Sequence, residues 1–507
     1  MMGRSQQLQP KLFYTALNLD ERVSADHPLR QIAKVIDFSF VREQVRELYG
    51  RRGNPSVDPA VLMKLMFLLH YENVASERKL MQQLPLRLDW LWFCGYDLDS
   101  QIPDHSVISK ARRRWGMEVF QNFFAGVLGQ CIEAGLVDGQ VVHVDSSLIA
   151  ASADRGRLGP ALRLHAQNVY DALEQEVQSD QQLPPSASPP ASEVAALQTE
   201  SSPAQAPAAA TADETSADPL PSSLVCPSDP DARLTRKHGQ LVLGYKDHRV
   251  VDDRYGIVTA TVTTDAAQAD GAMLSPLLDQ HQLNTRQTLQ TVVADKGYGT
   301  GDNYQHLRQR GIRPCIPHER YPDLAGKLPR RIFHYDAQAD GFICPAGQFL
   351  KRWNREEAKR RTRYRAAGRT CANCRLKSKC TDGKTGRIIS RYDLQESIDW
   401  ADSQGPLSWR RRLMRRRKIR AEGSFADAAN NHSYKRARWR RLSKVKIKNV
   451  LIATIQNVRK LMRASPPRPY PGLLRQPFLA AYHLFLTLQE AVRRHEATWR
   501  PFSGGFC

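Results

Sequence analysis

The segment VVHVDSSLIA, residues 141–150, reads as a buried β-strand that runs into a carboxylate. Val141, Val142 and Val144 are apolar and β-branched, which favours a largely buried strand. Asp145 follows where the run turns polar. Because a desolvated carboxylate is costly unless it is paired, Asp145 is a candidate functional residue. Taken alone, it could equally be a turn former or a helix cap.

A second segment has the same form. In VVADKGYGT (292–300), a short β-branched strand leads into Asp295, and Gly297 and Gly299 then allow a tight turn. Two acids on neighbouring strands repel each other, and a divalent cation is the usual compensation. Oxygen ligands favour Mg²⁺ or Mn²⁺ over zinc. We expect a third acid on a helix, and Glu422 is the candidate because it lies among basic residues.

The pattern around these acids predicts an α/β domain after a helical start. Residues 1–130 read as helices; VDPAVLMKLMFLLHYEN has Asp58 as a helix cap and Pro59 at the first helical position. Strands are predicted at 140–145, 241–251, 256–264, 290–295 and in IRPCI, with helices near 271–282 and at 301–311. The predicted order is therefore β, β, β, α, β, α, β, with a helix-rich basic region beyond 405.

Two segments interrupt this order. Residues 179–232 contain eight acids, no Lys or Arg and no aromatic residue, which predicts a disordered linker. Residues 318–405 carry four of the nine cysteines: Cys344, Cys371, Cys374 and Cys380. A C-x₂-C pair with two further cysteines fits one structural zinc ion. Reduced structural thiols are the alternative, and the odd number of cysteines argues against a disulfide framework.

The charge favours a polyanionic partner. Lys and Arg number 74 against 52 acids, which leaves a formal charge of +22. Between 410 and 463 there are 19 Lys or Arg and only two acids. The candidate DNA contacts are Lys110, Arg112, Arg113 and Arg114 in the helical part, and Arg416, Lys418, Arg420, Lys435, Arg436, Arg438 and Trp439 near Glu422. A solvated basic face is the alternative for the cations, and core packing is the alternative for Trp439.

The segments quoted above resemble the motifs of DDE transposases of bacterial insertion sequences. HVDSSLIAASA, ADKGYGT and AEGSFADAANNHSYKRARWRR are similar, in order, to the three acid motifs of that family. HPLRQI, SERKLMQQL and PDHSVISKARRR resemble its N-terminal helical domain. The resemblance implies an RNase H-like mixed sheet flanked by helices, with Asp145, Asp295 and Glu422 as catalytic ligands of two Mg²⁺ or Mn²⁺ ions. Ala429 stands where related sequences usually have lysine.

The resemblance also implies a function. The protein would bind the terminal inverted repeats of its insertion sequence, cleave DNA, and transfer the 3′-hydroxyl ends to target DNA by two-metal phosphoryl transfer. Its partners would be double-stranded DNA and further copies of the chain, with no membrane. Two alternatives stay open: a catalytically impaired relic that only binds DNA, which Ala429 favours, and a metal-dependent nuclease of the same fold.

The beginning of the sequence lacks the apolar region of a signal peptide, and the apolar segments are too short to span a bilayer, which predicts a cytoplasmic protein.

These considerations divide the chain into six parts. The expected parts are a helical DNA-binding domain (1–130), the first catalytic part (138–178 and 233–317), the linker (179–232), a cysteine-bearing insertion (318–405), the helical catalytic part (406–465) and a tail with one helix (466–507).

Overall fold

The computed structural model describes residues 18–50, 55–160, 224–237, 239–317, 326–383 and 386–464. Within them, an N-terminal helical region precedes a mixed sheet, a second sheet follows, and long helices complete the chain. The first helices are Leu19–Arg22, Pro28–Val35, Phe40–Val45, Pro59–Tyr71, Glu77–Gln83, Leu88–Cys94, Ser106–Trp115 and Glu118–Glu133. None of the helices in these ranges has the length and apolar character of a membrane span.

The helix Pro59–Tyr71 lies at the centre of the N-terminal region. The Asp58 carboxylate accepts the backbone N–H of Ala60 at 3.0 Å, so the predicted cap is confirmed. Side chains around the whole helix, including Leu62, Leu65 and Phe67, are buried. Such a helix needs neighbours on every face. Some of these neighbours come from the end of the chain, because the N-terminal helices share one hydrophobic core with the final helix.

The mixed sheet has the order β4–β5–β1–β7–β8. The sixth strand, β6, pairs with the part of β5 that β4 does not cover. Strand β1 is antiparallel to β5 and parallel to β7. The helices Leu274–Thr285 and Gly301–Gln309 precede β7 and β8, so the predicted order of elements is confirmed. The strands are β1 (Val141–Ala150), β4 (Arg233–Lys237), β5 (Gln240–Asp252), β6 (Val258–Asp265), β7 (Thr291–Val293) and β8 (Arg313–Cys315); β2 (Gly159–Pro160) and β3 (Leu224–Val225) form a separate pair.

Two expected boundaries were wrong. Strand β1 continues to Ala150, so Asp145 lies in mid-strand, opposite Arg249 of β5, and not at a strand end. The linker was expected to extend to 232, but residues 224–232 belong to the folded domain. Asp229 is buried and accepts a hydrogen bond from the Tyr245 hydroxyl at 2.5 Å. This contact helps to hold in the fold a polar segment whose composition alone predicted disorder. Residues 179–223 of the expected linker, and the expected tail 466–507, lie outside the described residues.

The second sheet lies within the cysteine-bearing segment. Its five strands are antiparallel and follow one another in chain order. One face packs Phe342, Leu350, Tyr364 and Ile389 into a small core. The strands are β9 (His334–Asp336), β10 (Gly341–Ile343), β11 (Phe349–Glu356), β12 (Arg361–Arg365) and β13 (Ile388–Tyr392), with short helices at Gly368–Ala372 and Lys377–Cys380.

The last described segment supplies the third acid. It consists of the helices Gln395–Ser403, Leu407–Arg417, Gly423–His432 and Leu442–Ala464, with a π-helical turn at Lys418–Glu422. The final helix packs on the mixed sheet, where the Asn457 side chain accepts the N–H of Val258 at 2.9 Å and donates to its carbonyl at 2.8 Å. The helix therefore joins the sheet to the N-terminal helices.

Candidate active site

The register of two parallel strands brings Asp145 and Asp295 together. In β1 and β7, Val141 pairs with Thr291 and His143 pairs with Val293. If this register is extended by two residues, Asp145 lies beside Asp295. Neighbouring strands are roughly 4.8 Å apart. Asp295 itself begins a short 3₁₀ turn, and its Oδ1 accepts the N–H of Gly297 at 3.0 Å.

A π-helical turn brings Glu422 to the same place. The turn Lys418–Glu422 follows the helix that ends at Arg417. Such turns insert one residue into a helix and are frequent at functional sites. The Arg417 guanidinium bridges two acids: Nη1 lies 3.1 Å from Asp145 Oδ2, and Nη2 lies 2.7 Å from Glu422 Oε1. The three expected acids therefore lie close enough to influence one another, and we call Asp145, Asp295 and Glu422, together with Arg417, the acidic pocket.

The pocket holds more negative charge than its one arginine balances. Burial raises the pKa of Asp145 to about 6; Arg417 opposes this rise, and the charges of Asp295 and Glu422 add to it. Burial also raises the pKa of Tyr298 well above its usual value, and the charges of Asp270, Asp145 and Asp295 raise it further. Asp270 is thus a further acid near the pocket that the sequence did not single out, and its Oδ1 lies 3.2 Å from Lys246 Nζ.

A buried network of charged and polar side chains lies next to the acidic pocket. Arg249, which is paired with Asp145 across the strands, is fully buried and donates to Asp247 at 2.8 Å. It also donates to Ser424 at 3.0 Å and to Gln456 at 2.8 Å. Ser424 is two residues from Glu422, so the network connects β5 to the helix that follows the third acid. Sequence reasoning missed it, although the charged residues Asp247 and Arg249 between the apolar ends of β5 were a visible signal.

Other polar residues on these strands are structural. His143 Nε2 lies 2.7 Å from Asp253 Oδ1, and His248 Nε2 lies 3.0 Å from the Thr264 hydroxyl. Both histidines are fully buried, so they are packed, hydrogen-bonded residues of the strands. Tyr298 is also fully buried and belongs to the core next to the pocket.

The chemistry of the three acids suits a hard divalent cation, but their spacing in the described structure does not. Three carboxylates converge, oxygen ligands suit Mg²⁺ and Mn²⁺, and Arg417 occupies the space between two of them. In the described structure its buried Nε has no hydrogen-bond partner, and its Nη1 contacts Asp145 as an ion pair without forming a hydrogen bond. Side chains in the described ranges form no cluster of three or more His, Cys, Asp or Glu at metal-ligand spacing. Arg417 would therefore have to move before a cation could bridge Asp145 and Glu422.

The candidate DNA contacts divide into packed and exposed residues. Arg112 is buried, pairs with Glu77, and lies 3.6 Å from the Trp439 ring centroid. Trp439 packs between Arg112 and His70, and burial lowers the pKa of Arg438 to about 10. Arg112 is therefore packed inside the protein, whereas Arg438 and Trp439 are only partly buried, and the role of all three in DNA binding stays a prediction.

The other candidates lie at or near the surface. Arg416 pairs with Asp253 at 2.7 Å, and Arg420 donates to the Arg254 carbonyl at 2.7 Å. Lys435 donates to the Ser147 hydroxyl at 2.7 Å. The candidates with exposed side chains are Lys110, Arg113, Arg114, Lys418, Lys435 and Arg436. Their role in DNA binding stays a prediction.

The four cysteines of the second sheet line one cavity, together with Phe333, Leu350 and Arg387. All four are free thiols of intermediate exposure. Burial raises the pKa of the Cys380 thiol; Arg387 lowers it, and Cys371, Cys344 and Cys374 raise it again. The thiols are therefore close enough to influence one another. They do not form a metal-ligand cluster in the described structure, so zinc binding stays a prediction.

Comparisons with known proteins match two separate parts of the chain. The family "Transposase domain (DUF772)" matches residues 17–114, and the family "Transposase DDE domain" matches residues 343–462. The second match contains Glu422 and the four clustered cysteines, and it begins after Asp145 and Asp295.

A curated relative gives a consistent result. The transposase for insertion sequence element IS1106 of Neisseria meningitidis serogroup B is 36% identical over 88 residues, which are 17% of this chain and 28% of that protein. Among solved structures, a piggyBac transposase synaptic complex with hairpin DNA gives a TM-score of 0.33 at 8% identity, covering 94% of this chain and 80% of that one. The two family matches and the curated relative show that the chain is related to the DDE transposases of insertion sequences.

Proposed function

We propose that the protein is a DNA transposase that binds the ends of its insertion sequence, cuts them, and joins the 3′-hydroxyl ends to target DNA. The observation that carries the proposal is the convergence of Asp145, Asp295 and Glu422 in the acidic pocket, with Arg417 between two of them. The strand order, with three antiparallel strands followed by two parallel ones, supports an RNase H-like catalytic domain.

Asp145, Asp295 and Glu422 would hold two Mg²⁺ or Mn²⁺ ions. Such ions supply activation of the attacking water or 3′-hydroxyl and stabilisation of the leaving oxygen. No covalent protein intermediate is required. Tyr298 is unsuited to be a nucleophile because it is fully buried and burial raises its pKa well above the usual value.

Residues of the pocket would position the phosphate. Arg417, once released from the acids, offers a planar guanidinium that can bind two phosphate oxygens. Lys435 contacts Ser147, which lies two residues from Asp145 and therefore on the same face of the sheet. Its ammonium group is a second cation beside the scissile bond. We propose that these two side chains orient the DNA strand over the acids.

The test is cleavage of a duplex that carries the inverted repeats flanking the gene, with Mg²⁺, by the wild type and by Asp145→Asn, Asp295→Asn and Glu422→Gln. Each variant should bind the duplex and fail to cut it. Asp427→Asn is the matched control, because Asp427 lies on the helix that follows Glu422 but accepts hydrogen bonds from Gln456 and Asn431. It should keep cutting.

Other outcomes would identify the alternatives. Cutting that persists in all three variants would contradict the proposed site. A wild type that binds but does not cut would favour a DNA-binding relic. Cutting without any joining of 3′ ends to a second duplex would favour a nuclease of the same fold.

A further inference from the structure

The outer face of the second sheet carries cations at alternate positions. In the β11–β12 pair, Lys351 is opposite Arg365, and Asn354 is opposite Arg363. Directly opposed residues share a face, and neighbours along a strand point to opposite faces. Tyr364 points into the small core with Leu350 and Phe342. Arg363 and Arg365 therefore point away from that core.

A bulge places a tryptophan among these cations. The register shifts between Arg352 and Asn354, which leaves Trp353 as the extra residue. Arg365 Cζ lies 4.3 Å from its ring centroid, and Arg363 Cζ lies 5.1 Å from it. Trp353 is nevertheless 45% exposed. Bulges re-aim side chains at functional positions. We call Lys351, Trp353, Arg363 and Arg365 the Trp353 face.

The positive charge of this face is largely uncompensated. Arg363 forms an ion pair with Glu356, with 2.9 Å between its Nη1 and Glu356 Oε1. Within the described ranges, the side chains of Lys351 and Arg365 have no ion-pair or hydrogen-bond partner. Arg355, on the same strand as Lys351, is by contrast held by Asp393 at 2.9 Å and by Glu357 at 2.6 Å. The acids thus neutralise one end of the strand pair and leave the other end basic.

We propose that the Trp353 face binds the phosphate backbone of duplex DNA as a contact separate from the acidic pocket. The aromatic ring holds two guanidinium groups in place without cancelling their charge. Pre-positioned cations suit phosphates, which carry no base identity. Because the ring already contacts two arginines, its role is to orient these cations and not to stack on an unpaired base, which is how aromatic residues usually bind single strands. The inference rests on the proposed function, since it assigns part of the same DNA contact.

The test measures duplex binding by the full-length chain as a function of salt concentration. Each neutralised phosphate contributes roughly −0.9 to the slope of log K against log salt concentration. Lys351→Gln/Arg365→Gln should therefore make the slope shallower by about 2 and weaken binding at low salt. Trp353→Ala should weaken binding in the same direction, because the arginines lose their support. A duplex of arbitrary sequence serves as the probe, since the contact reads no bases.

Arg355→Gln is the matched control, as it removes the same charge from the same strand where two acids already neutralise it. It should leave the slope unchanged. A double variant that melts like the wild type and binds with an unchanged slope would overturn the Trp353 face while leaving the proposed function intact. A wild-type protein that binds no duplex at any salt concentration would overturn both.

Discussion

The Arg417 guanidinium lies 3.1 Å from the Asp145 carboxylate, inside the pocket where the acids converge. An arginine in this position balances part of the negative charge when no cation is present. It also competes with a cation for the same oxygens. The pair therefore affects both the stability of the pocket and its affinity for metal ions.

Arg417→Gln should bind Mn²⁺ more tightly than the wild type in the absence of DNA. Removing a competing ion pair worth about 1.4 kcal/mol corresponds to a change of about tenfold in the dissociation constant. Calorimetric titration of the DNA-free protein measures this affinity directly. Arg416→Gln is the control, because the adjacent arginine pairs with Asp253 instead. Equal or weaker Mn²⁺ binding by Arg417→Gln would contradict competition.

Arg249→Met should lower the free energy of unfolding by about 3–5 kcal/mol, because it leaves Asp247 buried without its cation. Both side chains are fully buried. Denaturant unfolding measures the loss. For comparison, Arg360→Gln removes an exposed pair with Asp302 and should cost under about 1 kcal/mol. A similar small loss for both variants would show that the buried network is not structurally important.

Acid should destabilise the fold through His281. Burial lowers the pKa of this histidine to about 4, while its Nε2 lies 3.1 Å from the Gly139 carbonyl. The unfolded chain, with a histidine pKa of about 6.5, therefore binds more protons than the folded chain between pH 6.5 and 4. The contribution of His281 to stability falls as the pH drops through this window, by up to about 3 kcal/mol, and this contribution is constant below about pH 4.

The measurement compares His281→Gln with the wild type. The variant should lose part of the pH dependence of the unfolding free energy between pH 6.5 and 4, whatever its stability at neutral pH. If the two proteins have parallel pH profiles in that window, His281 is not the group responsible.

The cysteine cavity should contain one zinc ion per chain when the protein is purified without chelators. Four thiols around one cavity provide a sufficient ligand set once they are deprotonated. Metal analysis measures the content, and chelation should lower the melting temperature. Cys374→Ser should lose the zinc, whereas Cys315→Ser, a buried thiol on β8, should keep it. Metal-free protein with unchanged stability would instead favour reduced structural thiols.

The residues of the candidate site could be proposed from the sequence because their signals are local. A β-branched run that leads into an acid marks Asp145 and Asp295, and an isolated acid in a basic region marks Glu422. The order of strands and helices also followed from local patterns. The end of β1 did not, because Ser146 and Ser147 are polar residues that only pairing with β5 holds in an extended strand.

The amino-acid sequence by itself determined which residues are acidic, basic or apolar, where the elements form, and which three carboxylates are candidates for a metal site. Only the tertiary structure decided that β1 and β7 are in a register that brings Asp145 near Asp295, that Arg417 lies between two acids, and that Arg112 is buried against the ring of Trp439. The reason is physical: side-chain chemistry and backbone preference act over a few residues, whereas strand register, ion pairing and burial depend on segments far apart in the chain.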